Sequence, residues 1–219
     1  MARITRAPCA ICGGRLGGVR VRLAPGQVWQ GPYRRCDVCG ANFHTEHGVL
    51  VPSDEMWMLA PSVLEVLDAL RAADLDAWLD GGWGVDALVG EETRAHGDVD
   101  IVIELDRVDD VLVALAPLGF TMAEDHLPTR AVLRTLDGRQ VDLHPVTFDA
   151  DGTGWQRAAA PDGSDCPYPA GGFGHGVVGG RAVPCLTAAL QLEHHRGYEP
   201  RPRDLLDIAL LEGLLTPPG

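Results

Sequence analysis

The sequence predicts an α+β protein: a mixed-sheet domain with a helical C-terminus, preceded by a small cysteine ribbon. Three observations carry that prediction. Four of the six cysteines fall into two Cys-x-x-Cys pairs, Cys9 with Cys12 and Cys36 with Cys39. Further on, short strand-like segments alternate with helical ones, and two of the strands meet at Asp137-Gly138, a two-residue hairpin signal. From residue 187 onward the pattern is helical. The division expected is a ribbon over residues 1–48 and a larger domain over 58–219, with a linker at about residues 45–58.

Within the ribbon, Val19-Arg-Val-Arg-Leu23 alternates with period two, which predicts a strand with Arg20 and Arg22 on its wet face. Pro25-Gly26 marks a turn. Gly13 and Gly40 each follow a cysteine pair, where a small residue lets backbone N–H groups turn toward the thiolates. Two Cys-x-x-Cys pairs separated by 23 residues fit one tetrahedral Zn²⁺ in a reducing compartment. Two unrelated reduced thiol pairs, or redox pairs, are the competing readings. His44 and His47 are alternative ligands, but four cysteines close a structural site without them, and a closed site performs no catalysis.

In the larger domain, Pro61 opens an amphipathic helix with Val63, Leu67 and Leu70 on one face. A short segment, Asp76 to Asp80, ends at Gly81-Gly82, and Trp83 to Val89 reads as a helix. Asp98 to Leu105 is a strand, a near-continuous apolar run after an acidic start. Asp106 is expected to cap a helix reaching about Ala116. Strands follow near Phe120–Glu124, Arg130–Leu136 and Arg139–Val146. Residues 149–176, rich in Gly, Pro and Asp, predict a long loop. Val177 to Val183 reads as a hairpin, and helices at about 187–196 and 202–215 finish the chain, Pro202 near the start of the second.

The chemistry concentrates in Gly81-Gly82, Asp98-Val-Asp100 and Asp142. Residues two apart on a strand share a face, so Asp98 and Asp100 project together while Val99 and Ile101 face the core. Asp142, in Val141-Asp-Leu-His144, alternates with apolar neighbours in the same way. If its strand lies beside the first, three carboxylates converge. Such a cluster repels itself and is usually held by divalent cations. Two Mg²⁺ ions so held suit an in-line phosphoryl or nucleotidyl displacement. The glycine pair before a helix admits phosphate to the helix N-terminus, with Arg94 in reach of phosphate oxygens. A lone Asp-x-Asp is more often a solvated strand edge; the order of glycine pair, helix, acidic strand, hairpin and third acid argues for a site.

On these residues the sequence resembles a nucleotidyltransferase of the polymerase-beta superfold, in the branch that modifies aminoglycoside and lincosamide antibiotics. The segments are Trp78 to Leu88, Thr93 to Ile101 and Gln140 to His144, with Cys185-Leu-Thr187, Gln191, His195, Gly197-Tyr198, Asp204 and Asp207 towards the C-terminus; together they span about residues 60–215. The resemblance implies that Asp98 and Asp100 bind two metal ions. It implies that Asp142 binds the one activating the acceptor hydroxyl, and that Asp142 could also assist deprotonation. Gly81, Gly82 and Arg94 would hold the triphosphate of an NTP donor, and His96 would make a structural or phosphate contact. Gly97, where a polar or charged residue is expected, and Ala188-Ala189, where this branch often carries Pro-Glu, depart from the pattern and put the acceptor pocket in question.

Composition bounds the partners. With 46% hydrophobic and 22% charged residues the chain is ordinary globular protein, and no apolar run approaches a bilayer span. Met1 to Pro8 has no apolar core of a signal peptide, so a cytoplasmic location is expected. The first forty residues carry seven basic residues and one acidic, a net +6, which leaves −19 for the remainder of a chain at −13 overall. An acidic body attracts cations and repels polyanions, which favours a cationic or neutral small-molecule acceptor over nucleic acid. The basic head leaves two other routes: local RNA affinity, or docking on the acidic body of its own chain or of a homodimer partner. The reading is therefore transfer of a nucleoside monophosphate to a small aminosugar- or lincosamide-like hydroxyl with release of pyrophosphate. The alternatives are transfer to RNA or protein with the ribbon as reader, and a non-catalytic nucleotide-binding domain. The 149–176 loop and the C-terminal helices are expected to frame the acceptor. Trp29, Trp57, Trp155, Cys185 and the His194-His195 pair read as packing residues.

Overall fold

The computed structural model describes residues 8–24, 27–39, 41–46, 49–53, 58–160, 162–196 and 199–216. Pro25-Gly26, Gly40, His47, Trp57 and Gly197-Tyr198 lie outside the described residues, as do the side-chain positions of Arg20, Arg22, Trp29 and His44.

The N-terminal unit is a four-stranded antiparallel meander, β1 (Leu16–Ala24), β2 (Gln27–Cys36), β3 (Asn42–Glu46) and β4 (Val49–Ser53), paired in chain order. The alternation at 19–23 falls within β1 as expected. The stretch read as a linker instead holds β4, whose Val-Leu-Val run pairs with β3 from Val49 to Ser53. Among the described residues Cys9, Cys36 and Phe43 form a buried cluster.

The larger domain is built on a nine-stranded mixed sheet. Its elements in chain order are α1 (Ala60–Ala72), β5 (Ala77–Asp80), α2 (Gly81–Val89), β6 (Val99–Glu104), α3 (Val108–Leu115), β7 (Thr121–His126), β8 (Arg130–Arg134) and β9 (Gln140–Phe148). Then come β10 (Gly154–Gln156), β11 (Cys166–Tyr168), β12 (Phe173–Val178), β13 (Arg181–Leu186), α4 (Ala188–His194) and α5 (Pro202–Leu215). The strand order is β11-β10-β9-β6-β5-β13-β12, with the β7–β8 hairpin joined to β9. The β6–β9 and β5–β13 pairs are parallel; the others are antiparallel.

Burial of β6 on both faces explains its near-continuous apolar run. Val99, Ile101 and Ile103 join the main core with Val63, Leu67 and Leu70 of α1 and Val111 of α3. Val102 turns to a second core with Val146, Tyr168, Leu186 and Leu190. Alternation therefore sends Asp100 to the second face, beyond the end of the apolar packing.

Two local expectations are corrected. Asp106 does not cap α3: it lies in a single 3₁₀ turn, Leu105–Arg107, and the residue preceding α3 is Arg107, with no side-chain cap. Residues 149–176 are not one long loop. They contain β10, β11 and the start of β12, because Gly154 to Gln156 continue β9 by a turn at Asp149–Thr153 and pair back onto Thr147 and Phe148. Among the described residues no helix is long and apolar enough to cross a membrane.

Candidate active site

The site forms where β5, β6 and β9 present polar residues at one end of the sheet. β6 and β9 run parallel with Asp100 opposite Asp142 and Val102 opposite His144. Asp80, the last residue of β5, pairs with Asp100 from the other side and accepts a 2.7 Å hydrogen bond from the Gly81 N–H as α2 begins. A cavity of about 390 Å³ opens there, lined by Gly81, Gly82, Arg94, His96, Asp98, Asp100 and Asp142. The seven residues expected from the sequence to hold nucleotide and Mg²⁺ thus share one cavity. His194, His195, Arg201, Arg203, Asp204 and Asp207 close its other wall from α4, α5 and the segment between them. Among the described residues of 149–176 none lines it, so of the expected frame it is the C-terminal helices that face the cavity.

The glycine pair has a packing cause. Gly81 has φ of +55°, and a methyl on it would overlap Oδ2 of Asp100. A methyl on Gly82 would overlap the Arg94 guanidinium and the His96 ring. Both glycines are needed for the acids and cations to approach the start of the helix.

Each acid has a different environment. Asp142, nearly buried, accepts from Arg130 Nη2 at 2.6 Å and from Gln140 Nε2 at 3.0 Å. Asp100 Oδ1 lies 3.2 Å from His144 Nε2. Asp98 has no such partner among the described residues: burial first, then the charges of Asp100 and Asp142, push its carboxyl up to about 6. Burial pulls the His144 imidazole down, yet the hydrogen bond and charge of Asp100, with Asp80 and Asp142, outweigh it and raise it. The carboxylates supply hard oxygen donors of the kind magnesium takes, and the cationic neighbours show how much negative charge has gathered there.

Arg94 is committed within the chain. Its Nε and Nη2 bond Asp207 at 3.1 and 2.7 Å, and Nη1 donates to Ala95 O and meets His96 Nδ1, both at 3.1 Å. His96, 2% exposed, passes Nε2–H to Asp86 at 2.6 Å, and Asp86 also accepts from Thr93. Burial lowers the His96 imidazole and outweighs the pull of Asp86. Burial would raise Asp207, but His195 and Arg94 hold it below the usual carboxylate range. His194 sits 3.5 Å from Asp80; burial pulls it down, but Asp80 and Cys166 push it up to about 9. Sequence reasoning left Arg130, His144, Asp80, Asp86 and Arg203 without roles. The alternation of Asp142 with His144 on one strand was the only signal that could have found one of them.

The four cysteines form a separate centre. Cys9 Sγ is 3.7 Å from Cys39 Sγ, and Cys12 Sγ is 3.5 Å from Cys36 Sγ. Among the described residues this is the one group of three or more His, Cys, Asp or Glu side chains whose ligating atoms all lie within 4.8 Å of one another. The carboxylates of Asp98, Asp100 and Asp142 are more widely spread. Backbone N–H groups, Cys39 first, pull the Cys36 thiol down to about 6. The Gly14 N–H pulls Cys12 down, but the crowding of the other sulfurs, Cys39 foremost, outweighs it and pushes that thiol up to about 12. A tetrahedron of sulfurs at the usual 2.3 Å Zn–S distance has edges of about 3.8 Å, close to the spacing seen.

Comparison with known proteins gives a consistent picture. Residues 62–211 match the family model described as aminoglycoside-2''-adenylyltransferase. A lincosamide resistance protein of Staphylococcus haemolyticus is 31% identical over 149 residues, 68% of this chain and 91% of that one. A 2''-aminoglycoside nucleotidyltransferase of Klebsiella pneumoniae is 30% identical over 121 residues, 55% of this chain and 63% of that one. The lincomycin-bound crystal structure of a lincosamide antibiotic adenylyltransferase superposes with a TM-score of 0.61 at 30% identity, covering 69% of this chain and 95% of its own. The crystal structure of ANT(2'')-Ia in complex with adenylyl-2''-tobramycin gives 0.59 at 21% identity, over 72% of this chain and 89% of its own, a likeness of fold.

Proposed function

The chain belongs to the aminoglycoside-2''-adenylyltransferase family, and from that premise we propose that it transfers a nucleoside monophosphate from an NTP to a hydroxyl of a small antibiotic-like molecule, releasing pyrophosphate. The observation that carries this reading is the parallel, in-register pairing of Asp100 with Asp142 beside the glycine-opened start of α2, in one cavity with Asp98. Asp98, Asp100 and Asp142 are the residues that would hold two Mg²⁺ ions. When bound, these would supply charge neutralisation at the attacking and leaving oxygens.

The chain's own residues do the rest. Gly81 and Gly82, at the start of α2, line the cavity where a triphosphate would lie, at the favourable end of the helix dipole. Arg94 and His96, tied to Asp207 and Asp86, hold the wall behind Gly82 in one shape, and Arg94 keeps an edge on the cavity for phosphate. Arg201 and Arg203 bring two further guanidinium groups to the opposite wall. In this reading Asp142 assists removal of the proton of the acceptor hydroxyl. Its bonds to Arg130 and Gln140 fix its orientation.

A lincosamide is the first acceptor to test, because the similarity to the lincosamide resistance protein spans 91% of that protein's length, against 63% for the aminoglycoside enzyme. The cysteine centre, in this reading, holds one structural Zn²⁺. The test is mass spectrometry of lincomycin, tobramycin and a tRNA pool after incubation with the protein, Mg²⁺ and each NTP in turn. A gain of one nucleoside monophosphate on a small acceptor, with equimolar pyrophosphate, is expected. A label found only on tRNA would transfer the reading to a macromolecular target, and no label on any acceptor would overturn it.

A further inference from the structure

Behind the acids lies a run of polar groups whose hydrogen-bond directions are set by one carbonyl. The oxygen of Thr129 can only accept, so the Gln156 amide turns an N–H to it at 2.7 Å. That leaves Gln156 Oε1 to accept from the Tyr168 hydroxyl at 2.8 Å, and the amide's second N–H lies 3.2 Å from His144 Nδ1. An N–H aimed at Nδ1 makes that nitrogen an acceptor. The neutral ring then carries its proton on Nε2 and donates it to Asp100 Oδ1. Gln156 is 5% exposed and Tyr168 2%, so neither can turn to water instead.

We propose that His144 is a positioning residue for Asp100, oriented through Gln156 and Tyr168, a proposal that rests on the reading of Asp100 as a ligand of a divalent cation. The Asp100 carboxylate is held from two sides. Its Oδ1 receives the His144 N–H, and its Oδ2 lies against Gly81, where any side chain would collide with it. The carboxylate is thus fixed in one rotamer, and the entropy of orienting it is lost on folding instead of on binding. His144 also lines the cavity, but in this role it acts on donor and acceptor through Asp100.

Binding of Mn²⁺ alone to the full-length protein, followed by electron paramagnetic resonance without nucleotide or acceptor, tests this. His144→Leu removes the donor and should weaken Mn²⁺ binding at least about tenfold, whereas His144→Gln, which keeps an N–H near the Nε2 position, should stay within about threefold. Unchanged binding in His144→Leu, or equal loss in both variants with intact unfolding temperatures, overturns the proposal. Should the leucine variant not fold, Tyr168→Phe deletes only the hydroxyl that holds Gln156. It should weaken binding by a smaller factor and, in ¹⁵N spectra, spread the His144 proton from Nε2 towards Nδ1. A wild-type spectrum with Nδ1 protonated and Nε2 bare also overturns it. Absence of Mn²⁺ binding, or binding unaffected by Asp100→Asn, removes the premise and the proposal together. Mn²⁺ binding with the expected pattern but no nucleotidyl transfer would sink the activity alone.

Discussion

Asp100 and Asp142 are register partners on neighbouring parallel strands, so their carboxylates leave the sheet side by side from backbones joined by hydrogen bonds. A shift of one residue would send one of them into the core face beside Ile101 or Leu143. The apolar neighbours on both strands therefore fix the position of the acids. Asp100→Asn or Asp142→Asn should leave the unfolding temperature within a few degrees of wild type. Each should lower the rate of nucleotidyl transfer at least about 10³-fold, because electrostatic stabilisation at the reacting centre is removed. Pyrophosphate release with the acceptor present measures it; wild-type rates in both would show that the acids are not the catalytic set.

Asp98 makes the opposite prediction for stability. Its folded carboxyl titrates at about 6, above the ordinary 3.8, so the folded state holds its proton longer than the unfolded one. Stability therefore falls as pH rises from about 4 to about 6, and the full cost, on the order of 3 kcal/mol, is present above that window. Asp98→Asn should be more stable than wild type at pH 8 without divalent metal, and this gain should disappear near pH 4. Urea unfolding of both proteins at the two pH values checks it. A variant less stable than wild type at pH 8 would contradict the assignment.

Gly81→Ala combines two penalties. Its φ of +55° is unfavourable for a residue with a Cβ by about 1 kcal/mol, and that Cβ would displace the Asp100 carboxylate. Gly90→Ala, also at positive φ but with open space around it, isolates the backbone cost. The first variant should lose more stability than the second, and activity far beyond it. Parallel melting and activity measurements separate the two.

The legible part of the site was the part written along single strands. Asp98-Val-Asp100 and Val141-Asp-Leu-His144 carry a period of two that puts their acids on one face whatever the fold. Residues that enter only by pairing were not legible. Arg130 reaches Asp142 because antiparallel β8 sets Val132 opposite it, a register no composition reveals. Asp207 reaches Arg94 from 113 residues away. The strands β10 and β11 were missed because three residues are too few to show alternation, and the surrounding Gly, Pro and Asp dominate the pattern.

Arg94→Ala should destabilise the fold as well as weaken NTP binding. Its partner Asp207 is 2% exposed and, among the described residues, would be left with His195, 3.9 Å away, to balance its charge. Removing one member of a buried pair costs about 3 kcal/mol or more. Arg94→Ala with Asp207→Asn should recover part of that stability without recovering NTP affinity. Denaturant unfolding and nucleotide titration of the single and double variants test both halves.

The cysteine centre predicts about one zinc per chain by elemental analysis of purified protein. Its ligands are thiolates, so the ion should be lost as pH falls, when protons compete for the sulfurs. The backbone N–H groups at Cys36 favour its thiolate and delay that loss. Cys36→Ser and Cys9→Ser remove buried ligands and should abolish stoichiometric zinc, whereas Cys185→Ser, a buried thiol of the larger domain, should not. Because Cys9 and Cys36 are themselves buried in the cluster with Phe43, loss of zinc should expose residues 8–46 to protease while the larger domain resists cleavage. Limited proteolysis with and without chelator reads this directly. Zinc-free protein in which residues 8–46 stay as resistant as before would show that the cysteines pack without a metal.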